Sequence, residues 1–300
     1  MVQANDLSRL VLGTVQLGMP YGIANTTGKP DRETARAIIK TAWERGIRIF
    51  DTAQGYGESE DVLGDALAHN GVVSEARVIT KFHPSFDHAN RRELLESLDI
   101  SLEKLRVPEL EGIFFHKEEF LDLWDNGLGE IVEEIHTLGK VAKVGISVYS
   151  PERALQALEK DGIDCVQIPT NILDHRFEQR GVFDRAEKLR KQIFIRSIYL
   201  QGLLVLNPEK LSGKMQFAKD ILQKVTMIAR EYDTSTQELA LAYVKQSFPD
   251  AYILIGAETP QQVQENCDLW ERVALPEEAL QEIRTIFAST DEHILNPAQW

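Results

Sequence analysis

The feature that most constrains this 300-residue chain is an alternation between two kinds of segment. Short apolar, β-branched runs occupy residues 10–12, 47–50, 78–80, 112–115, 141–146, 165–168, 193–195 and 252–255. Nearly continuous apolar runs suit strands covered on both faces, as in a parallel sheet. Helix-period stripes lie between them, such as Ala35, Ile38, Ile39, Ala42 and Trp43, opened by Asp31 and closed by Gly46. Leu128, Ile131, Val132, Ile135 and Leu138 form another, closed by Gly139. Ser150 before Pro151 reads as a helix N-cap, and Ser235 with Glu238 has capping-box spacing. Each helix returns the chain to begin the next parallel strand. Eight such units predict a (β/α)8 TIM barrel; an open doubly wound sheet is the rival, because periodicity does not show closure. An additional amphipathic helix over 276–288 (Leu280, Ile283, Ile286, Phe287) and a polar tail ending at Trp300 follow. Without a linker, low-complexity tract or charge boundary, residues 1–300 read as a single barrel domain.

Charge narrows the partners. Lys and Arg total 33 against 47 Asp and Glu, a formal net charge of −14. That balance opposes general attraction to nucleic acid or to an anionic membrane surface, while leaving room for a local basic pocket that takes one small anion. The 2 cysteines, Cys165 and Cys267, are too few for a disulfide framework or a multi-thiolate metal site. No apolar run reaches the roughly 18–20 residues of a membrane span, and the first ten residues carry Asp6 and no apolar core of a signal peptide. A cytoplasmic location is expected.

The chemistry collects at one end of the strand runs. The second is followed by Asp51, the third by Lys81, the fourth by His116 and the fifth by Ser147; Gln167 lies within the sixth, and Arg196 and Ser197 follow the seventh. In α/β proteins the carboxyl ends of the strands form the binding face. The segment Asp51-Thr52-Ala53-Gln54-Gly55-Tyr56-Gly57-Glu58-Ser59-Glu60 has glycines on either side of Tyr56, which lets the turn aim the phenol inward. A phenol is a proton donor whose pKa a nearby cation lowers. Lys81 supplies that charge, Asp51 holds the ammonium, and His116 hydrogen-bonds the same oxygen or the substrate.

These residues carry a resemblance. The chain resembles the aldo-keto reductase family through Leu12-Gly13-Thr14, Asp51-Thr52-Ala53…Tyr56-Gly57, Ser59-Glu60…Leu63-Gly64, Thr80-Lys81, Phe115-His116, Gly145-Ile146-Ser147, Val166-Gln167, Leu200-Gln201-Gly202 and Gly256…Asn266. The resemblance implies a (β/α)8 barrel, a nicotinamide dinucleotide, NADP(H) or NAD(H), and a small-molecule carbonyl substrate. It implies that Asp51, Tyr56, Lys81 and His116 are catalytic, with Tyr56 protonating the carbonyl oxygen as hydride arrives. Ser147 and Gln167 match residues that bind the carboxamide. Gly13, Thr14, Asp51, Leu200 and Gly202 match the cofactor channel, and Glu265 and Asn266 the adenine end. The chain departs from the pattern in two places. Ser197 aligns where many members stack an aromatic ring on the nicotinamide, leaving Tyr199 or Arg196 as substitutes. Near Gly256, and at Gln262, the cations common in NADP-dependent members are missing, which implies a weaker NADP preference and use of NAD. No G-x-G-x-x-G follows a strand, in keeping with a non-Rossmann site.

Substrate contacts are expected from Tyr21, Phe82, His83 and Trp300, in the loops around Met19-Pro20-Tyr21, 82–86 and 173–176 and in the tail. His83, His116 and His175 match no metal spacing, so no metal is expected. Two other functions compete with carbonyl reduction. One is a cofactor-binding sensor or subunit with little turnover; the other is an aldolase that forms a Schiff base on Lys81.

Overall fold

The protein was analysed as a computed structural model that describes residues 7–87, 90–272 and 274–300. The expectation about the N-terminal segment falls partly on residues 1–6, outside the described residues.

Eight strands, Leu10–Gly13 (β1), Ile49–Asp51 (β2), Arg77–Lys81 (β3), Gly112–Phe115 (β4), Val144–Ser147 (β5), Cys165–Pro169 (β6), Gln192–Arg196 (β7) and Tyr252–Gly256 (β8), pair in sequence order. Every pairing is parallel, and β8 pairs with β1, so the sheet closes. The (β/α)8 expectation holds, and the open sheet is excluded. The run expected over 141–146 starts pairing as β5 only at Val144, Val141 making a single bridge to Leu110.

Helices form where the caps say. Asp31 accepts from the backbone N–H of Thr34 to open Arg32–Arg45, and Gly46 closes it at φ 103°. Ser150 and Ser235 cap Pro151–Leu158 and Thr236–Ser247 in the same way. The C-terminal helix spans Glu277–Ile286 and buries Ala279, Leu280 and Ile283. Ile286, expected on that face, is an exposed large hydrophobic, because the helical rotation carries it to the flank. Among the described residues no helix is long and apolar enough to cross a membrane.

Packing divides into two layers. The larger cluster lies between strands and helices. A second, inside the barrel, joins Val11, Ile49, Ile79, Phe114, Cys165, Phe194 and Leu254. Because successive strand residues face opposite sides, the next inward position on each strand lies two residues further on. Those positions are Gly13, Asp51, Lys81, His116, Gln167, Arg196 and Gly256; on β5, Ser147 follows Gly145. The apolar plug is thus the floor on which the polar ring at the carboxyl ends stands.

The floor is tight. A Cβ on Gly145 would lie 2.7–2.8 Å from three ring atoms of Phe114. Gly145→Ala should therefore cost about 1–3 kcal/mol by overpacking. Adding Phe114→Leu should recover part of that loss in a denaturant melt; equal stability of Gly145→Ala and the parent would contradict this packing.

Candidate active site

The ammonium of Lys81 lies in the barrel mouth with 1% of its side chain exposed. It donates to Asp51 Oδ1 at 2.6 Å and to the Thr52 carbonyl at 2.9 Å. The second oxygen of Asp51 accepts from Gln167 Nε2 at 2.9 Å. This three-residue chain spans β2, β3 and β6 and satisfies both buried charges at once.

Tyr56 stands over it. The Lys81 nitrogen is 5.2 Å from the centre of the Tyr56 ring, and the His116 ring meets that ring edge-on at 5.4 Å. The loop holding Tyr56 is fixed from below by buried hydroxyls. Thr52 donates to Ser59 Oγ at 2.9 Å, Ser59 donates to the Thr14 carbonyl at 2.7 Å, and Thr14 donates to the Asp51 carbonyl at 2.9 Å. Gly18 permits this seat, since a Cβ there would fall 1.7 Å from the Tyr56 carbonyl oxygen.

Electrostatics differ from the expectation in one respect. Burial, then the Asp51 carboxylate, pushes the Tyr56 phenol well above its ordinary pKa. The cation that opposes this shift is Arg196 rather than Lys81. Burial lowers the Lys81 pKa, with Asp51 opposing. Burial, with the charges of Lys81 and Arg196, pushes His116 down to about 3, so the imidazole is neutral across the physiological range.

A cavity of about 520 Å³ opens over these groups. It is lined by Asp51, Tyr56 and His116 at the chemical end, with Ser147, Gln167, Arg196 and Tyr21. From there it runs past Gly13, Thr14, Ser197 and Gly202 to Gly256, Gln262, Glu265 and Asn266. Phe82, His83 and Trp300 do not line it. Phe82 follows inward-facing Lys81, so it points outward and is fully buried against Phe115. Nδ1 of His83 is 2.7 Å from Ser85 Oγ, and the Trp300 indole donates to the His293 carbonyl and packs on Phe217. Leu200 is buried and lies outside the lining. Gln16, Tyr149, Gln237 and Glu258 line the cavity without having been singled out from sequence, and Gln201 of the Leu200-Gln201-Gly202 motif lines it too.

The channel floor has unusual backbone. Ser197, Leu200, Gln201 and Gly202 all have positive φ (63°, 49°, 55° and 94°) within six residues. For non-glycine residues that conformation carries strain, and successive left-handed turns make concave amide nests that suit an anion. At the far end Thr259 caps Pro260–Glu271 through the Gln262 N–H. The Gln262 side chain reaches past the Thr259 N–H to Glu258: its Oε1 accepts from the Glu258 N–H at 2.6 Å, and its Nε2 donates to the Glu258 carboxylate at 2.9 Å. Asn266 is committed internally, accepting from Tyr199 at 2.7 Å and donating to the Gln262 carbonyl at 2.8 Å.

Three residues that line this cavity hold buried polar atoms without hydrogen-bond partners: Gln16 Oε1, His116 Nδ1 and Arg196 Nη2. Gly256 makes room for Gln16, whose Nε2 would lie 2.3 Å from a Cβ there. Such orphans fit a polar ligand that completes them. Among the described residues no group of three His, Cys, Asp or Glu side chains could hold a metal ion.

The sequence model described as "Aldo/keto reductase family" matches residues 9–288. The chain belongs to the aldo-keto reductase family. It is an NAD(P)-dependent oxidoreductase of the carbonyl-reducing type. Pyridoxal 4-dehydrogenase of Microbacterium luteolum is 24% identical over 323 residues, covering 91% of this chain and 92% of that protein. The aldo-keto reductase YhdN of Bacillus subtilis is 26% identical over 188 residues, 58% of this chain and 53% of that one. Among solved structures, the glycerol dehydrogenase AKR11B4 of Gluconobacter oxydans superposes with a TM-score of 0.75 at 24% identity, covering 97% of this chain and 93% of that one. In this aldo-keto reductase the amine of Lys81 is bound to a carboxylate and a carbonyl, a poor state for Schiff-base chemistry.

The Lys81–Asp51 pair yields a stability test. Asp51→Asn, which strands a buried ammonium, should cost about 3–5 kcal/mol, whereas Asp51→Leu with Lys81→Met should lose far less than the sum of the single changes. Additive losses in urea unfolding would show that the two charges do not depend on each other.

Proposed function

We propose that this aldo-keto reductase reduces small aldehydes or ketones, with Asp51, Tyr56, Lys81 and His116 as the catalytic group and NADH as the preferred reductant. The observation that carries the reading is that Asp51, Tyr56 and His116 line one end of a cavity that runs on to Asn266, with Lys81 buried behind them, bonded to Asp51 and 5.2 Å from the centre of the Tyr56 ring. When bound, the dinucleotide supplies a hydride to the carbonyl carbon. Ser147 and Gln167 would hold its carboxamide, and the left-handed backbone at Ser197 and from Leu200 to Gly202 its pyrophosphate.

The chain's own residues do the rest. Tyr56 carries the proton that the carbonyl oxygen takes up, and its raised pKa keeps the phenol protonated past neutrality. Neutral His116 orients the carbonyl without competing as an acid. Lys81, pinned by Asp51, places a positive charge beneath the Tyr56 ring, and the Arg196 charge favours the phenolate left after transfer. Gln167 prevents Asp51 from turning away.

The adenosine end supports NADH over NADPH. Its lining includes the carboxylates of Glu258 and Glu265, and the Gln262 amide is spent on Glu258. A carboxylate accepts hydrogen bonds from a free ribose hydroxyl and repels a 2′-phosphate. The expected result is an NADH dissociation constant at least about tenfold below that of NADPH by fluorescence titration. Tighter NADPH binding would overturn the preference.

Tyr56→Phe should lower kcat for aldehyde reduction by about 10²–10⁴-fold while leaving NADH binding intact. The pH profiles follow in sign. Reduction needs the protonated phenol and should stay flat from about pH 5 to 8, His116 adding no ionisation there. Alcohol oxidation needs the phenolate and should climb with pH over the same range. Turnover by Tyr56→Phe equal to the parent would remove the assigned mechanism.

A further inference from the structure

The polar ring contains one group whose hydrogen-bond donors the reaction above leaves unemployed. Arg196 is the last residue of β7 and occupies the inward position above Phe194. Among the described residues it forms no salt bridge. Its Nη1 reaches Ser197 Oγ at 3.3 Å, and its Nη2 is buried with no hydrogen-bond partner. The guanidinium lies 4.3 Å from the ring centre of Tyr149, whose side chain lines the cavity along with Tyr21. This is therefore a held, planar cation whose free edge is turned away from solvent.

Among the described residues no carboxylate pairs with it. Of the three carboxylates lining the cavity, Asp51 is committed to Lys81 and Gln167, Glu258 is tied to Gln262, and Glu265 lies on the helix Pro260–Glu271 at the other end of the channel. The charge of Arg196 is felt by Tyr56, His116, Lys81 and Tyr21, so it sits at the chemical end of the cavity. Arg196 is half-buried as a residue, only its Nη2 is both buried and unbonded, and its forked donors match a carboxylate or phosphate. The dinucleotide's own anion has its nest in the left-handed turns beyond Ser197, and a nicotinamide ring carries no negative charge for Arg196 to meet.

We infer that Arg196 is a specificity residue that grips an anionic group, carboxylate or phosphate monoester, on the carbonyl substrate. Tyr149 holds the guanidinium in plane, and Tyr21 closes the same wall. The substrate class is thus a short aldehyde or ketone bearing an anion within a few bonds of the carbonyl. This rests on the reductase reading and narrows it.

The test uses two matched pairs, succinic semialdehyde against butanal and glyceraldehyde 3-phosphate against glyceraldehyde, with NADH consumption as the readout. The anionic member of at least one pair should be preferred, and the responding pair identifies the anion. Arg196→Met should lower that preference about 10- to 100-fold, mainly through KM. The neutral partner, which loses only the Arg196 charge near Tyr56, should lose far less than the anionic member, and Arg196→Lys should retain part of the preference. No preference in either pair, or an equal loss for charged and neutral members, would overturn the assignment. If the parent protein consumes none of the four, the reductase reading fails separately. Calorimetric titration of succinate and inorganic phosphate then decides the site: binding lost in Arg196→Met upholds it, and no binding overturns it.

Discussion

A strand closed into a barrel has one face turned to the axis, and that face advances two residues at a time. In this protein the constraint sorts every strand into an apolar residue that fills the barrel and, two positions on, a residue at the mouth. Val11, Ile49, Ile79, Phe114, Cys165, Phe194 and Leu254 are the filling. Asp51, Lys81, His116, Gln167 and Arg196 are what the same strands present next, with Gly13 and Gly256 leaving space beside them. The charges are therefore gathered by pleat geometry, and the well-packed floor excludes water from below. A buried Lys81–Asp51 pair is tolerable because Gln167 and the Thr52 carbonyl complete its hydrogen bonds.

The loops add what strands cannot. Tyr56 comes from outside the pleat, and its position is set by the hydroxyl chain through Thr14, Thr52 and Ser59 and by the absence of side chains at Gly18 and Gly57. Burial raises its pKa and keeps the phenol protonated past neutrality. The other end of the channel is shaped by different means: left-handed backbone at Ser197 and from Leu200 to Gly202, then the carboxylates of Glu258 and Glu265. One cavity thus changes electrostatic character along its length, cationic near the chemistry and acidic near the end of β8.

Much of this was legible in the sequence. Apolar runs ending in Asp51, Lys81, His116 and Ser147 mark both the fold and its business end, because strand direction and binding face are linked. What was not legible depends on parity and tertiary packing. Phe82 and His83 adjoin Lys81 in sequence, but the step of one residue turns Phe82 to the outer face, where it packs on Phe115. Trp300 is placed by Phe217 and His293, contacts that no local pattern announces. Sequence left Arg196, Ser197 and Tyr199 as alternatives after β7. The inward register selects Arg196 for the ring, while Tyr199 is drawn away to Asn266. Gln16 escaped notice because its role depends on the bare backbone of Gly256, distant in sequence.

We propose that the polar ring at the barrel mouth is the docking place of a dinucleotide's reactive end, and a crystal structure of the protein with bound NADH is the decisive experiment. It should place the nicotinamide beside Tyr56, Ser147 and Gln167, the pyrophosphate over the turn at Gln201 and Gly202, and the adenosine ribose within hydrogen-bond reach of Glu258. A nicotinamide bound away from Tyr56 and Gln167, or a dinucleotide lying outside this cavity, would contradict it.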